Sequence, residues 1–405
     1  MKKYIRYISA AAAVLISVLN VGAAYNASVE NGLATRNFSA GSGDHSAALN
    51  QLIQANKSNG AIITLLKGNY RLKNIRLPSN IHLKIQAGST IRLPQAVEFS
   101  TNSQTIFLFG DANGGRPRNV SISGVRRPGR NAKKFKVYLD PPQNGRANRT
   151  AIATTGANNF RIANMTVFDG LTNISSIKMG RAGGHITSNG TVRNCGQVGS
   201  TQGYGLIQSQ SCIDMLFENL KCEGGVTLRL ETGLAVINNE QNGLVDNVVA
   251  NNIRSSKGAY ALLMSPHSLD NGVVHSRGVH GDGSAFAAHF QAGFRNPDRY
   301  TVDRVGKFDR RSTSKQITAA YSPSKAQERL NFYRKYLKNY PVENAKIIPG
   351  ATRHAATGPS VAPVLKHPNT KYTVSPSDVS YVNGRAFPST SPGRNIKIFH
   401  PLTHN

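Results

Sequence analysis

From residue 119 onward, short apolar runs of period two are separated by Asn and Gly. The repeating units begin at Asn119, Phe160, Gly190, Met215, Leu244 and Val273. Taking Asn164, Asn194, Asn219, Asn247 and Ser276 as equivalent gives a step of roughly 25 to 30 residues, a solenoid period. Short β-branched runs at that spacing predict parallel strands coiled into a β-helix, with the Asn side chains stacked at the turns. The stretch Gly224 to Gly233 is the most informative strand. Its alternation places Val226, Leu228 and Leu230 on one face and Thr227, Arg229, Glu231 and Gly233 on the other. A carboxyl and a guanidinium on alternate positions, opposite an apolar wall, mark a working surface.

Upstream, a Gly/Ser loop runs into a predicted helix in which Leu49, Leu52 and Ile53 share a face and Asp44 or Ser46 starts the first turn. Strands are expected at 61–66, 68–72, 82–85 and 90–93. Between Arg116 and Arg149 basic residues and Pro128, Pro141 and Pro142 predict a long basic loop thrown out from the coil. Past Phe294 the rhythm breaks. A helix is expected from Ser322 to Lys338, with Ala326, Leu330, Tyr333 and Leu337 on one face, inside a basic α/β insertion spanning 294–358. The expected organisation is therefore a leader at 1–24, a β-helix core at 25–293, the insertion, and a segment at 359–405 that completes the last coils.

Charge narrows the partners. The chain carries 49 basic and 20 acidic residues, a formal charge of +29. Positions 1–24 hold Lys2, Lys3 and Arg6, an apolar run from Ile8 to Val21 and small residues at the end, a secretory signal. Its removal leaves +26, and export to the periplasm or beyond is expected. So lopsided a balance points to a polyanion. Export and the lack of nucleic-acid-binding motifs favour a sulfated or uronic polysaccharide over nucleic acid. No later stretch reads as a membrane span, and the protein is expected to act as a monomer. Three cysteines, Cys195, Cys212 and Cys222, exclude a disulfide framework and read as buried thiols, with Cys212 and Cys222 the nearest pair in sequence.

The chemistry-bearing residues form a pattern. Glu231 stands beside Arg229; Gln208 lies one coil earlier, and His267 lies one coil later, at the end of Met264 to His267. With the Gly/Asp loop, the capping helix and the 68–72 strand, the entrance resembles pectate-lyase-like right-handed β-helices. The Leu228 to Glu231 strand, Gln208 and His267 resemble the iota-carrageenases, glycoside hydrolase family 82, over most of residues 30–360. The resemblance implies an endo-hydrolase cutting β-1,4 bonds of iota-carrageenan with inversion. Glu231 would be its acid, His267 a substrate contact, and Gln208 a holder of the water or of an adjacent chloride; structural calcium is also implied. Sulfate recognition calls for Arg and Lys, with Arg229, Lys178, Arg181, Arg254 and Lys257 the candidates. His185, His275, His280 and His289 read as structural.

One position departs from the family. The base is expected at 233, which is glycine. An acid and base at i and i+2 of a strand lie about 6.6 Å apart, within the span inversion needs. Glu223, Glu240, Asp270 and Asp282 are the nearby carboxylates that could serve instead, or a water held by polar groups could do without a strong base. Two other readings stand beside the hydrolase: a noncatalytic binder of sulfated polysaccharide, and a polysaccharide lyase, for which the expected acidic calcium cage is not seen in the sequence.

Overall fold

A computed structural model describes residues 24–98, 100, 102–110, 115–140, 148–337, 345–349, 355–387 and 397–400. The leader through residue 23, and Pro141, Pro142 and Arg146, lie outside the described residues. The chain coils as a parallel β-helix. Among the described residues ten strands, from Ile75–Leu77 to Ile398–Phe399, stack in parallel in one sheet, and a sheet of seventeen strands closes the rest of the turns. In the ten-stranded sheet Phe107, Ile152, Ile177, Ile207, Leu228 and Leu262 lie in register, one per coil, and are all fully buried. Each such burial contributes about 1.5–3 kcal/mol, so the stack itself makes the repeat cohere.

Helix Ser46–Asn56 covers the first coils with Leu49 and Ile53 fully buried, and Asp44 Oδ1 accepts from the Ser46 amide at 2.8 Å. The turn asparagines do stack. Asn194 donates to Asn164, Asn219 to Asn194, and Asn252 to Asn219, each residue in the left-handed region. The fourth member is thus Asn252, not Asn247, and Gly278 follows it rather than Ser276, as the pairing Asn251 with Arg277 requires. Two left-handed asparagines occur in this strand, and spacing alone does not tell them apart; Asn247 bonds Asp214 instead.

Three other expectations change. The 116–149 stretch is not a thrown-out loop. Arg118–Val125 and Phe135–Leu139 are strands of the coil whose apolar residues Val120, Ile122, Phe135, Val137 and Leu139 fill the core; the basic residues between occupy the outer face and the turn, whereas Arg149 is fully buried and donates to the Glu98 and Ser100 carbonyls. The expected helix at 322–338 is a strand, Ala326–Arg329, followed by a short helix, Leu330–Tyr336. Ala326, Leu330, Tyr333 and Leu337 are all buried as anticipated, but the first half is claimed by antiparallel pairing with Ala355–Gly358. The insertion is not continuous either: Thr313–Ala320 pairs in parallel with Val274–Asp282 inside the coil, so the excursion divides into one segment before it and one after. The strands Val364–Lys366, Val379–Tyr381 and Ile398–Phe399 complete the last coils.

The three cysteines are free and buried, and burial pushes Cys195 up to about 11 and Cys212 to about 12. Among the described residues no helix is long and apolar enough to cross a membrane. Near the N-terminus His82 is fully buried, its Nδ1 3.0 Å from Ser121 Oγ, and burial lowers its pKa to about 4. A depressed histidine stabilises the fold fully above its unfolded pKa of about 6.5, and that stability is lost as pH falls toward 4. The difference in unfolding free energy between wild type and His82→Asn should therefore shrink by on the order of 3 kcal/mol from pH 7 to pH 4. A difference that stays constant with pH would show that His82 is not buried neutral.

Candidate active site

The outward row of the ten-stranded sheet runs Lys178, Gln208, Arg229, Leu263, His289 and Leu365, one residue per coil. Over its later members lies a cleft of about 550 Å³. Its far wall is the segment from Phe294 to Arg299 and the insertion's strand and helix, which contribute Arg329, Lys335 and Tyr336. Val226 also faces the cleft, contrary to its place in the sequence alternation. The ladder is irregular there: Thr227 is skipped between the pairings of Val226 and Leu228 on both sides, and in the neighbouring coil the amides of Ala261 and Leu262 both donate to Ala287 O, as at a bulge. A bulge shifts the phase by one, so Val226, Arg229 and Glu231 all point outward while Leu228 and Leu230 stay in the core.

Glu231 is the focus of this wall, only 9 % exposed, with Arg229 at 5 % and His267 at 6 %. Arg229 Nε lies 2.5 Å from Glu231 Oε2 as an ion-pair contact without hydrogen-bond alignment, and the guanidinium also donates to the Gly203 carbonyl. Gln208 Nε2 donates to Oε2 at 3.2 Å, and His267 Nε2 sits 3.2 Å from Oε1. Burial alone would raise the carboxyl's pKa, but the charge of Arg229, with the bond from His267, outweighs it and holds Glu231 well below the usual carboxylate range. The resting group is ionised. Facing a carboxylate, His267 Nε2 carries the proton, which leaves Nδ1 to accept from the Tyr300 hydroxyl at 2.7 Å. His267 itself is in the left-handed region at φ 49°, a strained position held by its carbonyl accepting from the Phe294 and Gly306 amides.

The insertion is clamped to the coil beside the site. Gln327 Oε1 accepts from the amides of Gln202 and Gly225, and Glu328 accepts from the Tyr260 hydroxyl, Gln202 Nε2 and its neighbour's amide. Burial raises the Glu328 carboxyl, the only other carboxylate lining the cleft among the described residues.

Arg229, Glu231 and His267 therefore meet as the sequence suggests, with Gln208 bonded behind them. The other basic candidates do not line the cleft: Lys178 lies beside Gln208, Arg181 pairs with Glu240, Lys257 pairs with Glu223, and Arg254 sits on the other sheet. The substitute bases fare likewise. Glu223 and Glu240 are taken up in those pairs, Asp270 by Arg304, and Asp282 ends a strand of the other sheet. Sequence reasoning does not find the exposed far-wall cations Arg299, Arg329 and Lys335, the orienting Tyr300, or, on the sheet side, the stacked imidazoles of His289 and His367, whose ring centroids are 5.6 Å apart. His289, structural by its sequence context, lines the cleft, its pKa held well below the usual imidazole value by burial and by the Arg329 charge nearby. Among the described residues no three His, Cys, Asp or Glu side chains are grouped to hold a metal ion.

Gly233 explains its own identity. Its carbonyl accepts from Arg299 Nη2, and a Cβ there would lie 2.9 Å from His267 Nε2 and 3.4 Å from Glu231 Cδ. The imidazole fills the space a side chain would use. Gly233→Asp should thus push His267 off Glu231, costing about 1–3 kcal/mol of stability and lowering whatever turnover the wild type has. Thermal unfolding and rate together check this; a gain in turnover would mean that 233 is a vacant base site after all.

No family model matches the chain. Two curated relatives do: iota-carrageenase of Zobellia galactanivorans is 34 % identical over 254 residues, and iota-carrageenase of Alteromonas macleodii is 30 % identical over 260 residues. Each alignment covers 62 % of this chain and 50 % of the relative. The chain is similar to iota-carrageenases. It spans about half the length of these curated relatives. A solved iota-carrageenase of family GH82 from A. fortis superposes with a TM-score of 0.76 at 24 % identity, covering 91 % of this chain and 88 % of that one, a likeness of fold. The iota-carrageenase likeness thus rests on sequence for part of the chain and on architecture for nearly all of it.

Proposed function

We propose that the chain is an exported, monomeric endo-hydrolase that cuts the β-1,4 bonds of iota-carrageenan with inversion. The observation that supports it best is one buried carboxylate, Glu231, held between Arg229 and His267 at the floor of a cleft rimmed by Arg299, Arg329 and Lys335. Fixed cations on the rim suit a substrate bearing permanent sulfate charges.

Glu231 acts as the general acid, and its pKa is the substrate's switch. At rest Arg229 keeps it ionised. A sulfate ester bound to Arg229 offsets that charge; burial, the largest influence on Glu231, then raises its pKa and it takes up the proton it delivers to the leaving oxygen. His267, oriented by Tyr300, fixes the carboxyl from the side. A water attacks from the opposite face without a carboxylate at 233. His289 and His367, whose imidazoles line the same cleft with pKa values lowered by burial, are the proton acceptors of this reading. A double substitution of these two by phenylalanine that leaves turnover unchanged would remove them from the mechanism. A halide beside Gln208 would find the Lys178 ammonium on the neighbouring strand, so these residues fit one; no step depends on it.

Missing a strong base costs about 10²- to 10⁴-fold, so slow turnover is expected. The second reading, a noncatalytic binder, draws on the same fact. Release of reducing ends from iota-carrageenan, set against agarose as the uncharged galactan, separates them: release from the sulfated polymer alone supports the hydrolase, and binding with no release supports the binder.

A further inference from the structure

We propose that a second groove, on the outer face of the seventeen-stranded sheet and separate from the cleft, binds a sulfated polysaccharide chain without cutting it. The groove has a volume of about 190 Å³ and is lined by five cations, Lys84, Arg126, Lys133, Arg161 and Arg193, with no carboxylate among its lining residues. It is built across four strands. Lys84, Ser123, Ala163 and Arg193 lie in register, one per strand, so the backbones that carry the two outer cations stand about 14 Å apart with small side chains between them. The roof comes from the turn after Val125. Gly124 allows it to fold back, since a Cβ there would lie 2.2 Å from Lys133 O and 2.5 Å from Asn164 O. That close approach sets Arg126 and Lys133 over the sheet.

Charge accounting shows what is left for a ligand. Glu30 pairs with both Lys84 and Arg161, with Arg161 Nη2 2.8 Å away, and its one carboxylate offsets one of their two charges. Arg126, Lys133 and Arg193 are exposed and have no ion-pair partner among the described residues. Glu218 pairs in register with Arg193 on the next strand but does not line the groove. Three cations without an ion-pair partner, spaced along a channel, fit an anion that repeats along a chain. Among the described residues no aromatic ring lines the channel, which disfavours single-stranded nucleic acid, where bases stack on such rings. The choice of a sulfated polysaccharide over another polyanion rests on the function proposed for the cleft.

The test is retention of Glu231→Gln in gels containing iota-carrageenan at about 0.1 M salt, with and without the added changes Arg126→Gln, Lys133→Gln and Arg193→Gln. All three side chains are exposed, and an unchanged melting curve will confirm the fold. The expected result is about a tenfold loss of affinity for the polymer. In the otherwise wild-type chain the same three changes should leave turnover of oligosaccharides short enough to occupy only the cleft unaltered. Unchanged polymer affinity would overturn the groove, as would tighter binding of a double-stranded DNA fragment than of iota-carrageenan. The retention assay needs no hydrolysis, so the groove and the hydrolase reading fail separately: a triple variant that loses retention while the wild type cuts nothing keeps the groove and sinks the hydrolase.

Discussion

Glu231→Gln is expected to bind iota-carrageenan as tightly as wild type while turning it over about 10³-fold more slowly, the scale of a lost general acid. The amide preserves the size of the group and its contact with Gln208, but it has no proton to give to the leaving oxygen. Binding should survive because the rim cations Arg299, Arg329 and Lys335 are untouched. Initial rates and gel retention on the same preparation distinguish the two effects. Full turnover in this variant would remove Glu231 from the chemistry and with it the site as assigned.

Arg229→Gln should do more than weaken the substrate's grip. In wild type the folded carboxyl is held below its unfolded value, so Glu231 contributes stability that is present above about pH 4 and lost as pH falls through its folded pKa in strong acid. Without Arg229, burial dominates and the folded pKa rises above the unfolded one. The sign then reverses: stability from this group is full at low pH and lost as pH rises through the new folded value. At neutral pH the variant should be about 3 kcal/mol less stable than wild type, as for a buried pair stripped of one partner. The deficit should narrow on going to pH 5. Thermal unfolding across that range reads the effect directly, and a deficit independent of pH would mean Arg229 acts by packing alone.

The coil is legible in the sequence because a β-helix repeats its reasons: period-two runs, Asn at turns and a regular step from coil to coil recur often enough to be seen without an alignment. The floor of the cleft is legible for the same cause, since Gln208 pairs with Arg229 on the next strand of one sheet and Glu231 follows on that strand. What fails is local. The irregularity that turns Val226 outward leaves the residue alternation unchanged in sequence, because the neighbouring strands run through it with the same number of residues. The strand Ala326–Arg329 reads as helix because Ala326, Leu330, Tyr333 and Leu337 do share a buried face; only pairing with the distant strand Ala355–Gly358 makes the first of them extended. The cations Arg299, Arg329 and Lys335 give no signal of their own in a chain with 49 basic residues. Gly233 is visible as an oddity, yet its reason is not: the space is filled by His267, which arrives from the next coil.

The most direct test of the central claim is proton NMR of iota-carrageenan in the first minutes after adding the protein, before the new reducing ends mutarotate. Inverting hydrolysis of a β bond releases the α anomer first, and α-anomer signals appearing ahead of β are the predicted result. New ends that appear as the β anomer, an unsaturated product, or a spectrum that never changes would each contradict it.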